Sequence, residues 1–201
     1  MALVAAASLP AQDGGLYGSG APDDAAFVRI VNAAPGAGEL GASIGDTGLG
    51  PVGVGSVTPY RAVVTGLFQV AVGERSVELV AENGAYYTIA ILPDALLLFE
   101  DPEHTDPTQA QIFVYNLRLP GRARLVASER GATVLGPVDS EASEQVAVAA
   151  VPVELALRSG GGQIALGDPG LERGESYSVF AFLNADGEVE AFVEQATIAT
   201  E

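Results

Sequence analysis

Short stretches of this chain alternate apolar and polar side chains with a period of two, bounded by Gly, Pro, Asn or Asp, which is the pattern of a half-buried strand. In SVELVA, Val77, Leu79 and Ala81 share one face, while Ser76 and Glu78 share the other. In VELALR, Val153, Leu155 and Leu157 likewise oppose Glu154 and Arg158. The same reading predicts strands over residues 27–32, 60–65, 68–72, 85–92, 111–117, 123–127, 145–151, 163–166, 176–183 and 188–193. No window outside the N-terminal leader sustains a helical period. With 25 Gly and 12 Pro punctuating short strands, the expected fold class is all-β, built as sandwiches with one dry and one wet face per sheet.

The pattern also repeats. FVRIVNA returns as IFVYNLR, with Asn32 and Asn116 84 residues apart; GLGPVGVGS returns as VLGPVDSEA, with Gly50 and Gly136 86 apart. GAYYTIAIL returns as GESYSVFAF, with Tyr87 and Tyr177 90 apart. Three matches in one order at nearly one offset imply two similar tandem domains. The expected organisation is a signal-peptide remnant over 1–11, a flexible leader over 12–23, a β-sandwich over 24–95, a linker over 96–108 and a second β-sandwich over 109–201. The linker contains Pro102 and Pro107 among Glu100, Asp101, Glu103 and Asp106, a composition suited to a stiff exposed connection. Its first residues, Leu96 to Phe99, also suit a last strand or an interdomain contact.

Composition narrows the function. Acidic residues number 26 against nine basic ones, all nine arginine, for a net charge of −17. Nucleic acid is therefore not an expected partner, since binding a phosphate backbone needs a basic patch. The absence of Cys removes thiol catalysis and zinc-thiolate sites. Residues 1–11, MALVAAASLPA, are apolar and uncharged and give way to polar Gln12-Asp13, like the back half of a secretory signal peptide.

No pattern supplies a catalytic nucleophile with its base. The single histidine, His104, lies in the acidic linker, where it reads as a solvated side chain with no GxSxG neighbour to activate. EDPEHTD lacks the spacing of a calcium loop, and RSGGG lacks the Lys of a phosphate loop. No cofactor is expected. The basic concentration RLPGRARLVASER holds Arg118, Arg122, Arg124 and Arg130, read either as solvated arginines or as forks for carboxylates on a uronate polymer or a protein. Leu16 and Tyr17 form an apolar pair in the glycine-rich leader, either strapping their own domain or docking on a partner.

GGLYGSGAPDDAAFVRIVNA, with Leu16-Tyr17-Gly18, Ala21-Pro22, Phe27-Val28-Arg29 and Asn32 in that order, resembles the start of mature alginate O-acetylation proteins of the AlgF family. YYTIAIL followed by FEDP, then QIFVYNL, VPVELAL and LERGESYSVF, continue the resemblance from Gly14 onward. It implies a periplasmic two-domain β protein required for acetylating alginate. The implied partners are a membrane-bound O-acyltransferase and periplasmic SGNH-like alginate acetyltransferases, with alginate itself a further candidate. The expected role is a non-catalytic adaptor among them; the alternative is a uronate polysaccharide-binding module.

Overall fold

The computed structural model describes residues 24–199. Its regular elements are all strands, and no described helix is long and apolar enough to cross a membrane. The strands form four sheets.

In the first half, β1 (Ala25–Asn32) and β8 (Tyr86–Ile91) run parallel, and β8 pairs antiparallel with β9 (Leu96–Asp101). Two short strands, β4 (Ser56–Val57) and β5 (Arg61–Val64), complete this sheet on the other side of β1. The facing sheet is antiparallel, β3 (Thr47–Val52), β2 (Leu40–Ile44), β6 (Gly66–Val72) and β7 (Arg75–Ala81) in spatial order. Val28, Ile30, Val70, Leu79 and Ile89 fill the core between the two sheets.

The second half repeats this plan. Strands β10 (Ala110–Asn116) and β16 (Ser176–Leu183) run parallel, flanked by β13 (Ala142–Val148) and β17 (Val189–Gln195). The facing sheet is β12 (Thr133–Val138), β11 (Ala123–Ala127), β14 (Leu155–Ser159) and β15 (Gly162–Gly167). Ile112, Val114, Leu125, Leu157 and Val179 pack between them. The all-β, two-domain expectation is therefore met.

The matching segments do matching work. The Asn32 amide donates to the Gly38 and Val52 carbonyls, as Asn116 donates to those of Gly121 and Val138. The Tyr87 hydroxyl donates to the Val80 carbonyl and accepts the Glu82 amide; Tyr177 does the same with Gly170 and Glu172. Each satisfies backbone groups at a sheet corner that would otherwise be buried unpaired.

The expectation of one wet face fails for four strands. Every residue of β1, β8 and β10 is buried, as is all of β16 except Leu183. The reason is a third core in which the two parallel-strand sheets pack on each other. Val31, Ala90, Leu92 and Phe99 from the first half meet Phe113, Tyr115, Phe180 and Phe182 from the second. The molecule is thus a stack of four sheets with three apolar layers. Burial of large apolar side chains, at about 1.5–3 kcal/mol for each one fully buried, makes this middle layer a core in its own right.

The connection is also shorter than the expected 96–108. Residues Leu96–Asp101 pair along β8 as the last strand of the first half, leaving 102–109 to cross between domains. Strands β2, β3 and β12 escaped the alternation because Gly and Pro interrupt it, and 145–151 is observed three residues earlier, as Ala142–Val148.

Candidate functional site

The densest polar chemistry lies in the middle layer. Arg29, on the face of β1 turned toward the second half, is 1 % exposed. Its Nε donates to Thr88 Oγ1 at 2.8 Å, and its Nη2 donates across the interface to Tyr115 Oη at 3.0 Å and Ser178 Oγ at 2.8 Å. The guanidinium also stands 4.4 Å from the centre of the Tyr60 ring and 5.3 Å from that of Phe180, distances at which a ring quadrupole attracts a cation. Asp101, at the end of β9, accepts the hydroxyls of Tyr60 at 2.7 Å, Tyr115 at 2.6 Å and Thr88. Its carboxylate lies 4.0 Å from the Arg29 guanidinium.

Burial acts to lower the Arg29 pKa, but the surrounding oxygens of Tyr60, Tyr115 and Asp101 outweigh it and hold it above the ordinary value. Burial likewise raises Tyr60 and Tyr115, and it pushes Tyr86 up to about 12. This node contains a cation, an anion and four hydroxyls that satisfy one another. Its chemistry is the joining of two domains, with Arg29 and Asp101 from one half and Tyr115 and Ser178 from the other.

Beside the node the two halves leave a cleft of about 170 Å³, with Tyr60, Tyr86, Phe113, Ala196 and His104 among its lining. Tyr86 stacks on Phe27 at 4.7 Å and meets Tyr60 edge-on at 5.2 Å. The solvated reading of His104 is corrected here: both of its ring nitrogens are shut off from solvent and have no hydrogen-bond partner among the described residues. The linker folds back over the domain seam, which carries His104 into the cleft wall. Among the described residues no group of His, Asp and Glu could hold a metal ion.

The four arginines singled out from sequence do not form one strip. Arg118 bridges the halves, paired with Asp94 of the first and with Glu141 at 2.5 Å in the second. Hydrogen bonds to Glu141 and Asp94 raise the Arg118 pKa, and burial opposes them. Arg122 pairs with Asp139 at 2.6 Å. Arg130 lies exposed in the turn after β11, near Glu129, Glu154 and Asp168. Arg124 is exposed on the outer face of β11, directly opposite Arg158 of β14. Arg158 is the addition that only strand register supplies. Leu16 and Tyr17 lie outside the described residues.

On the opposite outer face, Leu67 of β6 stands across from Val80 of β7, and the two are 65 % and 58 % exposed. The molecule therefore ends in an apolar pair on one side and a cationic pair on the other.

The family model described as "Alginate O-acetyl transferase AlgF" matches residues 1–178. This chain belongs to the AlgF family. An AlgF relative from Pseudomonas aeruginosa, an "alginate biosynthesis protein", is 30 % identical over 174 residues, spanning 86 % of this chain and 79 % of the relative. A Pseudomonas putida AlgF of the same description is 30 % identical over 168 residues, spanning 82 % of this chain and 76 % of the relative. Solved structures of the separate N- and C-terminal domains of Pseudomonas aeruginosa AlgF also match. The first is 29 % identical with a TM-score of 0.37, covering 41 % of this chain and 100 % of that one; the second is 21 % identical with a TM-score of 0.40, covering 44 % and 98 %.

Proposed function

We propose that this AlgF-family chain is a non-catalytic periplasmic adaptor in the O-acetylation of alginate, holding a membrane-bound O-acyltransferase close to SGNH-like alginate acetyltransferases. The observation that carries the reading is the pair of unlike outer faces on one four-layer body. Leu67 and Val80 offer contiguous apolar surface at one end, and Arg124 and Arg158 offer paired guanidinium forks at the other. A middle layer packed like a core keeps the two ends at a fixed separation, so two different partners bound to them gain effective concentration for each other. The description of the family supports alginate acetylation as the setting, and the names of the relatives support alginate biosynthesis. The self-satisfied Arg29–Asp101 node supports an assembly role over a reactive one, since its polar atoms are already engaged with each other.

Binding of the purified acetylation proteins to immobilised chain tests this reading. Leu67→Glu with Val80→Glu should abolish capture of one partner class, and Arg124→Glu with Arg158→Glu should abolish capture of the other. Retention of both partners by both variants would overturn it, as would transfer of labelled acetyl by the purified chain alone.

The Arg124–Arg158 pair also supports the second reading, a uronate-binding module. Like charges directly opposite across antiparallel strands are destabilising, and a carboxylate bound between them relieves that repulsion. Salt-sensitive binding of alginate fragments without any partner protein, lost in the Arg124→Glu/Arg158→Glu variant, is its signature.

A further inference from the structure

The cleft beside the interdomain node has a size, a lining and a charge that together describe its occupant. Its volume of about 170 Å³ is close to that of an engineered apolar cavity, about 150 Å³, which takes up benzene. One benzene-sized ring therefore fits. Tyr60, Tyr86 and Phe113 line the cleft, and aromatic pairs attract beyond the area they bury. The wall already holds one charge of each sign: Asp101 lies 4.0 Å from the Arg29 guanidinium, which stands 4.4 Å from the centre of the Tyr60 ring. A third charge desolvated here would have no counter-ion, which is costly. Polar occupants fare no better, because the buried polar side chains of the wall are engaged with one another. The Tyr60 hydroxyl donates to Asp101 at 2.7 Å, the Gln111 amide to the Pro102 carbonyl at 3.2 Å, and the Ser176 hydroxyl to Gln111 at 3.0 Å. The His104 ring nitrogens are shut off from solvent and offer an occupant no bond. A tyrosine hydroxyl or a tryptophan N–H seated here would lose water without gaining a partner. A phenylalanine ring has no such loss.

The sequence places that ring outside this chain. All seven of its phenylalanines belong to the described cores, and Phe113 is itself part of the wall. A second copy has none to spare either. Phe113 also stacks on Tyr115 at 6.1 Å, so an inserted ring would extend the aromatic layer that already joins the halves. The mouth adds charge. Glu103 lines it and is exposed, Asp106 follows in the same linker, and Glu100 and Glu175 adjoin Asp101 and Ser176. Arg61 and Arg173 adjoin Tyr60 and Gly174, but acids predominate, as they do across a chain of net charge −17. Basic residues on either side of the incoming ring complement such a rim.

We propose that the cleft receives one phenylalanine side chain of a partner protein, presented between basic residues. The ring seats against Tyr60, Tyr86 and Phe113, and its basic flanks meet the acidic linker. This seat is separate from the two outer faces. The inference rests on the adaptor reading in taking the partner to be one of the acetylation proteins, while the seat itself is tested without any of them.

Aromatic NMR on the full 201-residue chain, titrated with end-blocked tripeptides, reads the seat directly. Lys-Phe-Lys should shift the ring resonances of Tyr86 and Phe113, Glu-Phe-Glu should bind about tenfold more weakly at low salt, and Lys-Ala-Lys should leave them unmoved. Equal binding of Lys-Phe-Lys and Lys-Leu-Lys would overturn the aromatic seat. Uptake of toluene with no response to any peptide would also overturn the proposal, by assigning the cleft to a free small molecule. Thr105→Trp, at the exposed rim, should plug the cleft and abolish both the peptide response and capture of one acetylation protein, with the midpoint of urea unfolding unchanged. Ala196→Leu plugs it from the C-terminal segment and should do the same. Loss of the peptide response with full capture of every acetylation protein in both variants would overturn the choice of partner. Intact peptide binding by an unaltered chain that captures no acetylation protein would sink the adaptor reading and leave the seat standing.

Discussion

The two halves of the molecule share one strand plan, yet the faces they turn toward each other are complementary. At the offset that aligns Asn32 with Asn116, Arg29 of the first half stands where the second has Phe113, and Val31 stands where it has Tyr115. At the offset that aligns Tyr87 with Tyr177, Thr88 matches Ser178, but Ala90 matches Phe180. The first half thus brings a cation and, at the end of β9, the Asp101 carboxylate. The second brings rings and hydroxyls: Tyr115 stacks on Phe180 at 4.7 Å and reaches both ions through its hydroxyl. Two identical faces would have set one arginine against the other in a dry interface, where unpaired charge is costly. Divergence on the inward face, with the Asn and Tyr corner locks retained, lets a repeat pack on its own copy.

The largest disturbance of this complementarity comes from removing the anion. Asp101→Ala strips Arg29, Tyr60, Tyr115 and Thr88 of their shared acceptor and should lower stability by about 3–5 kcal/mol, read as a shifted midpoint in urea unfolding. Replacing Arg29 by Met in the same chain should recover part of that loss, because no buried charge is then left alone. Equal loss in the single and double variants would show that the node holds the halves through its hydroxyl network rather than through charge.

A second contrast lies within matching strands. Gly50 and Gly136 both adopt positive φ, +87° and +114°. A Cβ on Gly50 would meet nothing within 4 Å, while one on Gly136 would lie 2.8 Å from the Ala123 carbonyl oxygen. Gly50→Ala should cost roughly 1 kcal/mol for backbone conformation alone. Gly136→Ala should cost roughly 3 kcal/mol, since backbone in contact with the new methyl must also move. Thermal melting of the two variants side by side measures the difference, and equal melting temperatures would contradict it.

The smallest effect belongs to the outer ion pairs that join the halves. Arg118→Ala removes the contacts with Asp94 and Glu141, but these groups are largely in water, where solvent screening leaves such pairs little net stabilisation. Unfolding in urea should shift little, and less still in high salt. A loss comparable to that of Asp101→Ala would move the origin of interdomain adhesion from the buried layer to the rim.

How far the sequence reached can be judged on particular residues. Ser176–Leu183 and Ala123–Ala127 are observed with the bounds that the sequence pattern predicts, the first rich in aromatic residues and the second set off by Pro120-Gly121 before it. Thr47–Val52 and Thr133–Val138 were visible only as a repeated LGPV, since Gly and Pro erase the period-two signal. Arg158 could be found beside Arg124 only through register, which spans residues more than thirty apart. His104 was misread because its neighbours are acidic and proline-rich, and local composition carries no information about a wall contributed by Tyr60, Tyr86 and Phe113.

The sequence alone was sufficient for the all-β class, the two-fold repeat with its recurring Asn and Tyr, and the family. All of these are written in local periodicity and in the order of short segments. Tertiary structure decided that the copies stack through a third core, that Arg29 is a buried hub rather than a polar strand residue, and that the linker lines a cleft. One clue was present in advance: FVRIVNA, YYTIAI and SYSVFAFL carry too few polar residues for a wet face. A strand buried on both sides reads as a continuous apolar run, but which surface covers the second side depends on contacts between distant segments, and only the folded chain contains them.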